Sequence, residues 1–219
     1  TPGHSSAASD VYKRQHDKVT NTNELIKQGH LSRLKIKIIT LIHPYTKFDS
    51  YQEEIEWIVT HERRNNFIKK LALDLSGNTL VLFNYVEKHG EPLYDMINNS
   101  ASSGRKVFLV HGGVETKDRE EIRSITENED NAIIVASYGT FSTGINIKRL
   151  HNIIFASPSK SRVRNLQSIG RVLRKGENKN EAILYDIADD ISNNGKNTNY
   201  TLHHLFERVK IYNQENFDY

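Results

Sequence analysis

Cysteine is absent from the 219-residue sequence. That excludes a disulfide framework and any cysteine-based zinc site, and it fits a reducing cytosol. No apolar run approaches the roughly 18 to 20 residues that a membrane-spanning helix needs. No signal peptide is visible. Excess charge of one sign is small: 30 Lys and Arg stand against 27 Asp and Glu, for a formal net charge of +3. Overall charge therefore does not announce a nucleic-acid binder. A GxxxxGK[ST] phosphate loop is missing too, so the chain carries no phosphate cradle of that kind.

What is present is a core. Apolar residues make up 37% and charged residues 26%, and the apolar ones gather into dense runs. One domain with appendages suits this length. Basic residues also gather. Lys148, Arg149, Lys160, Arg162, Arg164, Arg171, Arg174, Lys175 and Lys179 crowd one stretch in which acids are sparse. A solvated basic face is the plain reading of such a run.

Periodicity separates the chain into two styles. Asn21 to Glu24 can cap a short helix that Gly29 ends. Leu34 to Leu41 alternates, which predicts a strand with one wet face, closed by Pro44. Ser50-Tyr51-Gln52-Glu53 has the form of a capping box. Ile55, Ile58 and Val59 follow at helical spacing, and Phe67, Ile68, Leu71 and Leu75 extend the pattern to a stop at Gly77. Beyond Asn78 the runs become short and continuous: Leu80 to Phe83, Val107 to Val110, Ile133 to Ala136, Ile153 to Ala156 and Ile183 to Tyr185. Continuous runs predict strands buried on both faces. Amphipathic helices fall between them, at about Glu91 to Asn98, Thr116 to Glu127 and Ser161 to Leu173. Such alternation predicts an open α/β parallel sheet with helices on both faces, and ligands at the carboxyl ends of its strands. Asp189-Asp190 reads as a solvated turn. His203-His204 sits in a plain amphipathic helix of Leu202, Leu205, Phe206 and Val209, with no third ligand for a metal.

Two stretches carry chemistry. In Gln167-Ser168-Ile169-Gly170-Arg171-Val172-Leu173-Arg174, a helix would place Gln167, Arg171 and Arg174 on one face. Gly170 permits close approach of a backbone or a phosphate. Two guanidinium forks and an amide suit a polyanion that develops charge. The second stretch runs from Val135 to Ile147. There a buried strand enters a segment rich in hydroxyls and glycine, read as a loop. Hydroxyls and free backbone N–H groups can hold sugar-phosphate oxygens without reading bases.

Together these stretches resemble motifs V and VI of superfamily 2 helicases. Leu80 to Tyr85 resembles motif IV, and Val110-His111-Gly112-Gly113 resembles the strand and turn after it. The resemblance runs from about residue 21 to residue 219. At finer grain the two stretches, with Tyr51 to Ile55, are similar to the recombination DNA helicases of T4-like phages. The resemblance implies a RecA-like second helicase lobe. It implies that Arg171 and Arg174 reach the γ-phosphate of ATP and that Gln167 positions the phosphate or the attacking water. Gly144, Asn146 and Gly170 would lie at the nucleotide edge. Phe83, Asn84, His111 and Gly112 would line the strand path, and Ser137, Thr140 and Ser142 would face the nucleic-acid backbone. His111 reads equally well as a turn residue. No Asp-Glu-x-His box is present. ATP and Mg²⁺ would thus be held mainly by an absent first lobe, leaving this chain inactive alone.

The expected organisation follows from that. Residues 1–20 read as a disordered or foreign segment, 21–48 as a connector from the first lobe, 49–190 as the RecA-like lobe, and 191–219 as a C-terminal loop and helix. The expected partner is DNA, branched or single-stranded, with no membrane, in the cytoplasm of a bacterial host. The alternatives are a lobe of another superfamily 2 enzyme (an RNA helicase or a restriction-type translocase) or a non-catalytic nucleic-acid-binding fragment.

Overall fold

A computed structural model describes residues 33–113, 124, 128–144, 149–158 and 181–219. The helix expected after Asn21 and the one expected at Ser161 to Leu173 lie outside these residues, as does nearly all of the one expected at Thr116 to Glu127.

Among the described residues six strands form one sheet: β1 (Arg33–Ile42), β2 (Thr79–Phe83), β3 (Val107–Val110), β4 (Ile133–Ser137), β5 (Asn152–Phe155) and β6 (Glu181–Asp190). Their order is β1-β6-β5-β2-β4-β3. Every neighbouring pair is parallel. The apolar runs of the sequence explain the central strands. All five residues of β2 and all four of β5 are buried, because both faces are covered. One core joins Leu80, Leu82, Ile134, Ala136 and Phe155 to Tyr212 of the last helix. The other joins Val81, Phe83, Val135 and Ile154 to Ile68, Leu93 and Ile97 of the opposite helices. Each such side chain contributes about 1.5–3 kcal/mol when fully buried.

The edge strand β1 behaves differently, as its alternation predicts. Leu34 and Ile36 are buried, whereas Lys35 and Lys37 are exposed. Lysines on an outer strand discourage pairing with another chain. This strand lies within the stretch expected to be a connector, yet it pairs with β6 along ten residues in register. Among the described residues the sheet begins at Arg33.

Helix α1 (Tyr51–Thr60) starts with a variant of the expected capping box, its return bond falling one residue before the N-cap Ser50. Ser50 accepts from the Glu53 N–H, and Glu53 reaches back to the Asp49 N–H at 3.0 Å. His61 then caps α2 (Glu62–Asp74) by accepting from the Arg64 N–H. Gly77, at φ +88°, turns the chain into β2 with a backbone that glycine adopts without strain. After β2 comes a π-helical turn, Val86–Gly90, and then α3, Glu91–Asn98. The hydroxyl-rich segment after β4 is not a loop: it forms α4 (Tyr138–Gly144). Tyr138 and Phe141, one turn apart, are both buried in the core. That packing outweighs the weak helix propensity of glycine, serine and threonine.

The last helix, α5 (Tyr200–Gln214), is tied to the lobe by a buried carboxylate. Glu54 of α1 accepts from the Tyr200 and Thr201 N–H groups, at 2.8 and 2.7 Å. It also accepts from the Thr201 hydroxyl and the Asn199 amide. A carboxylate so placed satisfies the free N–H groups of a helix start and complements its dipole. Phe206, expected on the apolar stripe of this helix, is exposed instead. The buried stripe runs instead through Leu205, Arg208 and Tyr212, and the Arg208 guanidinium donates to Asp186 at 2.8 Å. Among the described residues no helix is long and apolar enough to cross a membrane.

Gly90 fixes how the π-helical turn sits on the sheet. A Cβ there would lie 2.4 Å from the Phe83 ring. Gly90→Ala is expected to cost about 1–3 kcal/mol through overpacking and to lower the thermal midpoint by several degrees. An unchanged midpoint would contradict this packing.

Candidate functional site

All strands being parallel, their carboxyl ends share one edge. The register makes three of them finish together: Phe83 lies beside Ser137, and Val110 beside Ala136. The residues just beyond, Asn84, His111 and Tyr138, thus start their loops or helix side by side. Asn84 is held on two sides. Its N–H donates to the Ser157 Oγ at 3.1 Å, and its amide donates to the Pro158 carbonyl at 3.3 Å. The Ser137 and Thr140 hydroxyls bond each other at 2.9 Å. The Tyr138 hydroxyl donates to the Ser157 carbonyl at 3.3 Å. His111 accepts the Gly113 N–H on Nδ1 at 3.2 Å, which is the geometry of a turn histidine.

A second polar group lies at the carboxyl ends of β6 and β1. Asp189 is fully buried. Arg64 Nε donates to both of its oxygens at 2.9 Å, and His43 Nε2 lies 2.9 Å from one of them. His43, Trp57 and His61 surround this pair with ring centroids 4.4–5.2 Å apart. Burial pushes the Asp189 carboxyl up. The Arg64 charge beside it, with the His43 and Arg64 hydrogen bonds, outweighs burial and holds it below its ordinary value. Asp189 was expected in a solvated turn. It is the opposite, a charge sealed inside and neutralised by Arg64.

The predicted site residues separate into groups. Asn84, His111, Gly112 and Ser137 come together on the carboxyl edge, half-buried or exposed. Thr140 stands behind Ser137, with only 6% of its surface exposed. Phe83 does not belong: it is fully buried, its ring against Gly90, so it cannot stack on a nucleic acid. Ser142 and Gly144 lie on the backbone of α4. Asn146, Gln167, Gly170, Arg171 and Arg174 fall outside the described residues. Sequence reading missed Ser157, Tyr138, Arg64 and Asp189. For Asp189 a signal existed, because an acid within an otherwise apolar strand needs a buried partner.

The fold and this edge define a RecA-like helicase lobe. Residues 63–176 match the family model described as the helicase conserved C-terminal domain, and the chain belongs to that family. It is 38% identical, over 219 residues, to the ATP-dependent DNA helicase UvsW of Enterobacteria phage T4. That match takes in 92% of this chain and 43% of the relative. The crystal structure of T4 UvsW superposes with a TM-score of 0.70 at 36% identity, covering 86% of this chain and 41% of that one. The ATP-dependent Type ISP restriction-modification enzyme LlaBIII, solved bound to DNA, gives a TM-score of 0.56 at 17% identity over 89% of this chain and 15% of its own. At that identity the likeness is one of fold. The chain spans less than half the length of these relatives.

The Arg64–Asp189 pair sets a pH-dependent stability. Folding lowers the Asp189 pKa, so the unfolded chain takes up that proton more readily. The contribution is full above the unfolded value of about 3.9 and is lost as pH falls through the lower folded value. Arg64→Met is expected to destabilise the protein by about 3–5 kcal/mol at pH 7, measured by urea unfolding, with a smaller deficit near pH 3. A deficit independent of pH would mean that packing rather than charge carries the effect.

Proposed function

We propose that this chain is the C-terminal motor lobe of an ATP-dependent DNA helicase that acts on branched DNA, namely forks, Holliday junctions and R-loops, in phage recombination, repair and replication. The observation that carries the reading is the 38% identity to a T4 ATP-dependent DNA helicase across 92% of the chain. The Gln167, Arg171 and Arg174 spacing supports it, since it supplies the charges that a phosphoryl-transfer site needs.

ATP and Mg²⁺ are held mainly by the first lobe. Arg171 and Arg174 stabilise charge on the γ-phosphate once the lobes close, and Gln167 orients the phosphate or the attacking water. Gly144, Asn146 and Gly170 border the nucleotide. Asn84, Gly112, Ser137 and Ser142 contact the DNA backbone, His111 shapes the turn that presents Gly112, and Thr140 acts through its bond to Ser137. Closure moves this lobe along the strand by a small step, and hydrolysis releases it. Backbone contacts make the motor sequence-blind and salt-sensitive. The compartment is the cytoplasm of the bacterial host.

In the two-lobe protein, Arg174→Ala is expected to cut DNA-stimulated ATP turnover by about 10³-fold or more while leaving DNA affinity within a few-fold. Unchanged turnover would remove the arginine assignment. Stimulation by RNA or by linear duplex in preference to forked DNA would favour an RNA helicase or a restriction-type translocase instead.

A further inference from the structure

His89 is a fully buried histidine with no role in the reading above. Two features bring it inside. The π-helical turn gives the His89 and Gly90 N–H groups the same acceptor, the Tyr85 carbonyl, at 3.2 and 2.9 Å. Gly90, lacking a Cβ, lets that turn lie directly on Phe83. Its ring then touches two polar partners. Nδ1 lies 2.9 Å from the Ser157 Oγ, and Nε2 lies 3.2 Å from the Asn65 Oδ1.

The chemistry of these partners fixes every proton. The Asn65 amide nitrogen donates to the Val59 carbonyl at 2.8 Å. A flipped amide would set oxygen against oxygen there, so Oδ1 must face the histidine. Oδ1 only accepts, so His89 carries its proton on Nε2. Burial, with the Arg64 charge nearby, lowers the His89 pKa to about 3. The ring is therefore neutral, and Nδ1 is an acceptor. The Ser157 hydroxyl must then donate to Nδ1, which leaves its lone pairs to accept the Asn84 N–H at 3.1 Å. One directional chain of hydrogen bonds thus runs from Asn84 through Ser157, His89 and Asn65 to Val59. It joins the end of β2, the end of β5, the π-helical turn and α2.

We propose that His89 is a positioning residue that locks the Asn84 corner to the Ser157 corner, so that DNA held at Asn84 is felt where the chain leaves β5 toward Gln167, Arg171 and Arg174. This rests on the helicase reading. Asn84 stands on the proposed DNA side. Ser157 lies ten residues before Gln167 in sequence, on the segment leading to the proposed ATP side. The relay ties these corners together beside the Asn84 amide's bond to the Pro158 carbonyl, and of the two it alone extends through His89 to α2. Because it does not titrate near neutral pH, the lock holds across the physiological range.

The test uses the two-lobe protein with Ser157→Ala, which removes the central hydroxyl, and Ser157→Thr, which keeps it. Turnover is read with and without forked DNA. Wild-type protein comes first: no stimulation by DNA would overturn the helicase reading and this inference with it. Given stimulation, Ser157→Ala is expected to lower DNA-stimulated turnover roughly three- to tenfold, the range of one buried hydrogen bond. Turnover without DNA should stay at the wild-type level, and Ser157→Thr should retain stimulation. An equal fall in both turnovers, or no fall in either, would overturn the coupling role while leaving the helicase reading intact. A second readout stands even if Ser157→Ala fails to fold. Nitrogen NMR of wild-type His89 should show the Nε2–H tautomer without titration between pH 5.5 and 8. An Nδ1–H tautomer or a mid-range titration would overturn the relay.

Discussion

A parallel sheet buried on both faces is the constraint from which the rest follows. Its strands must all run one way, so their carboxyl ends share one edge. Helices cover both faces, so the polar backbone groups leaving the strands have little water to meet. They must find partners inside the protein. Ser157 meets that need at the β5 end, taking the Asn84 N–H on its hydroxyl and the Tyr138 hydroxyl on its carbonyl. At the β6 end the Asp189 carbonyl accepts from the Asn199 amide at 3.1 Å, while its carboxylate is held by Arg64 and His43. The edge that carries Asn84, His111 and Ser137 thus also holds buried polar pairs.

Two buried ion pairs cross the lobe. Arg64 with Asp189 and Arg208 with Asp186 are all buried. The Asp186 charge outweighs burial and raises the Arg208 pKa, so that group stays protonated. Such pairs add little net stability compared with apolar residues of similar volume, but breaking one strands a charge. Their effect here is geometric. Asp189 joins α2 to the end of β6, and Asp186 joins β6 to α5. Glu54 adds a third link, from α1 to the start of α5. The C-terminal helix is therefore part of the lobe's polar framework as well as of its core.

Much of this was legible in sequence where a local rule decides. Continuous apolar runs gave β2 to β5, alternation gave β1, and Ser50 with Glu53 gave the start of α1. Asn84, His111 and Ser137 were named through the resemblance to helicase motifs, and the parallel sheet sets all three on one carboxyl edge. What escaped depends on distant partners. Asp189 looks like a turn residue until Arg64, 125 positions away, is beside it. Phe83 is expected to line the strand path until Gly90 is seen beneath its buried ring. Tyr138 to Gly144 has the composition of a loop, and only the burial of Tyr138 and Phe141 makes it a helix. His89 carries no local signal, since a π-helical turn aims it inward.

The central claim is that this lobe supplies half of an ATPase site. The direct measurement is ATP hydrolysis by the 219-residue chain, with and without forked DNA, beside the same chain extended upstream through a first lobe. Turnover confined to the extended protein, and raised by forked DNA, is the expected result. Turnover by the short chain alone would contradict the claim, because it would require a phosphate-binding element within this lobe.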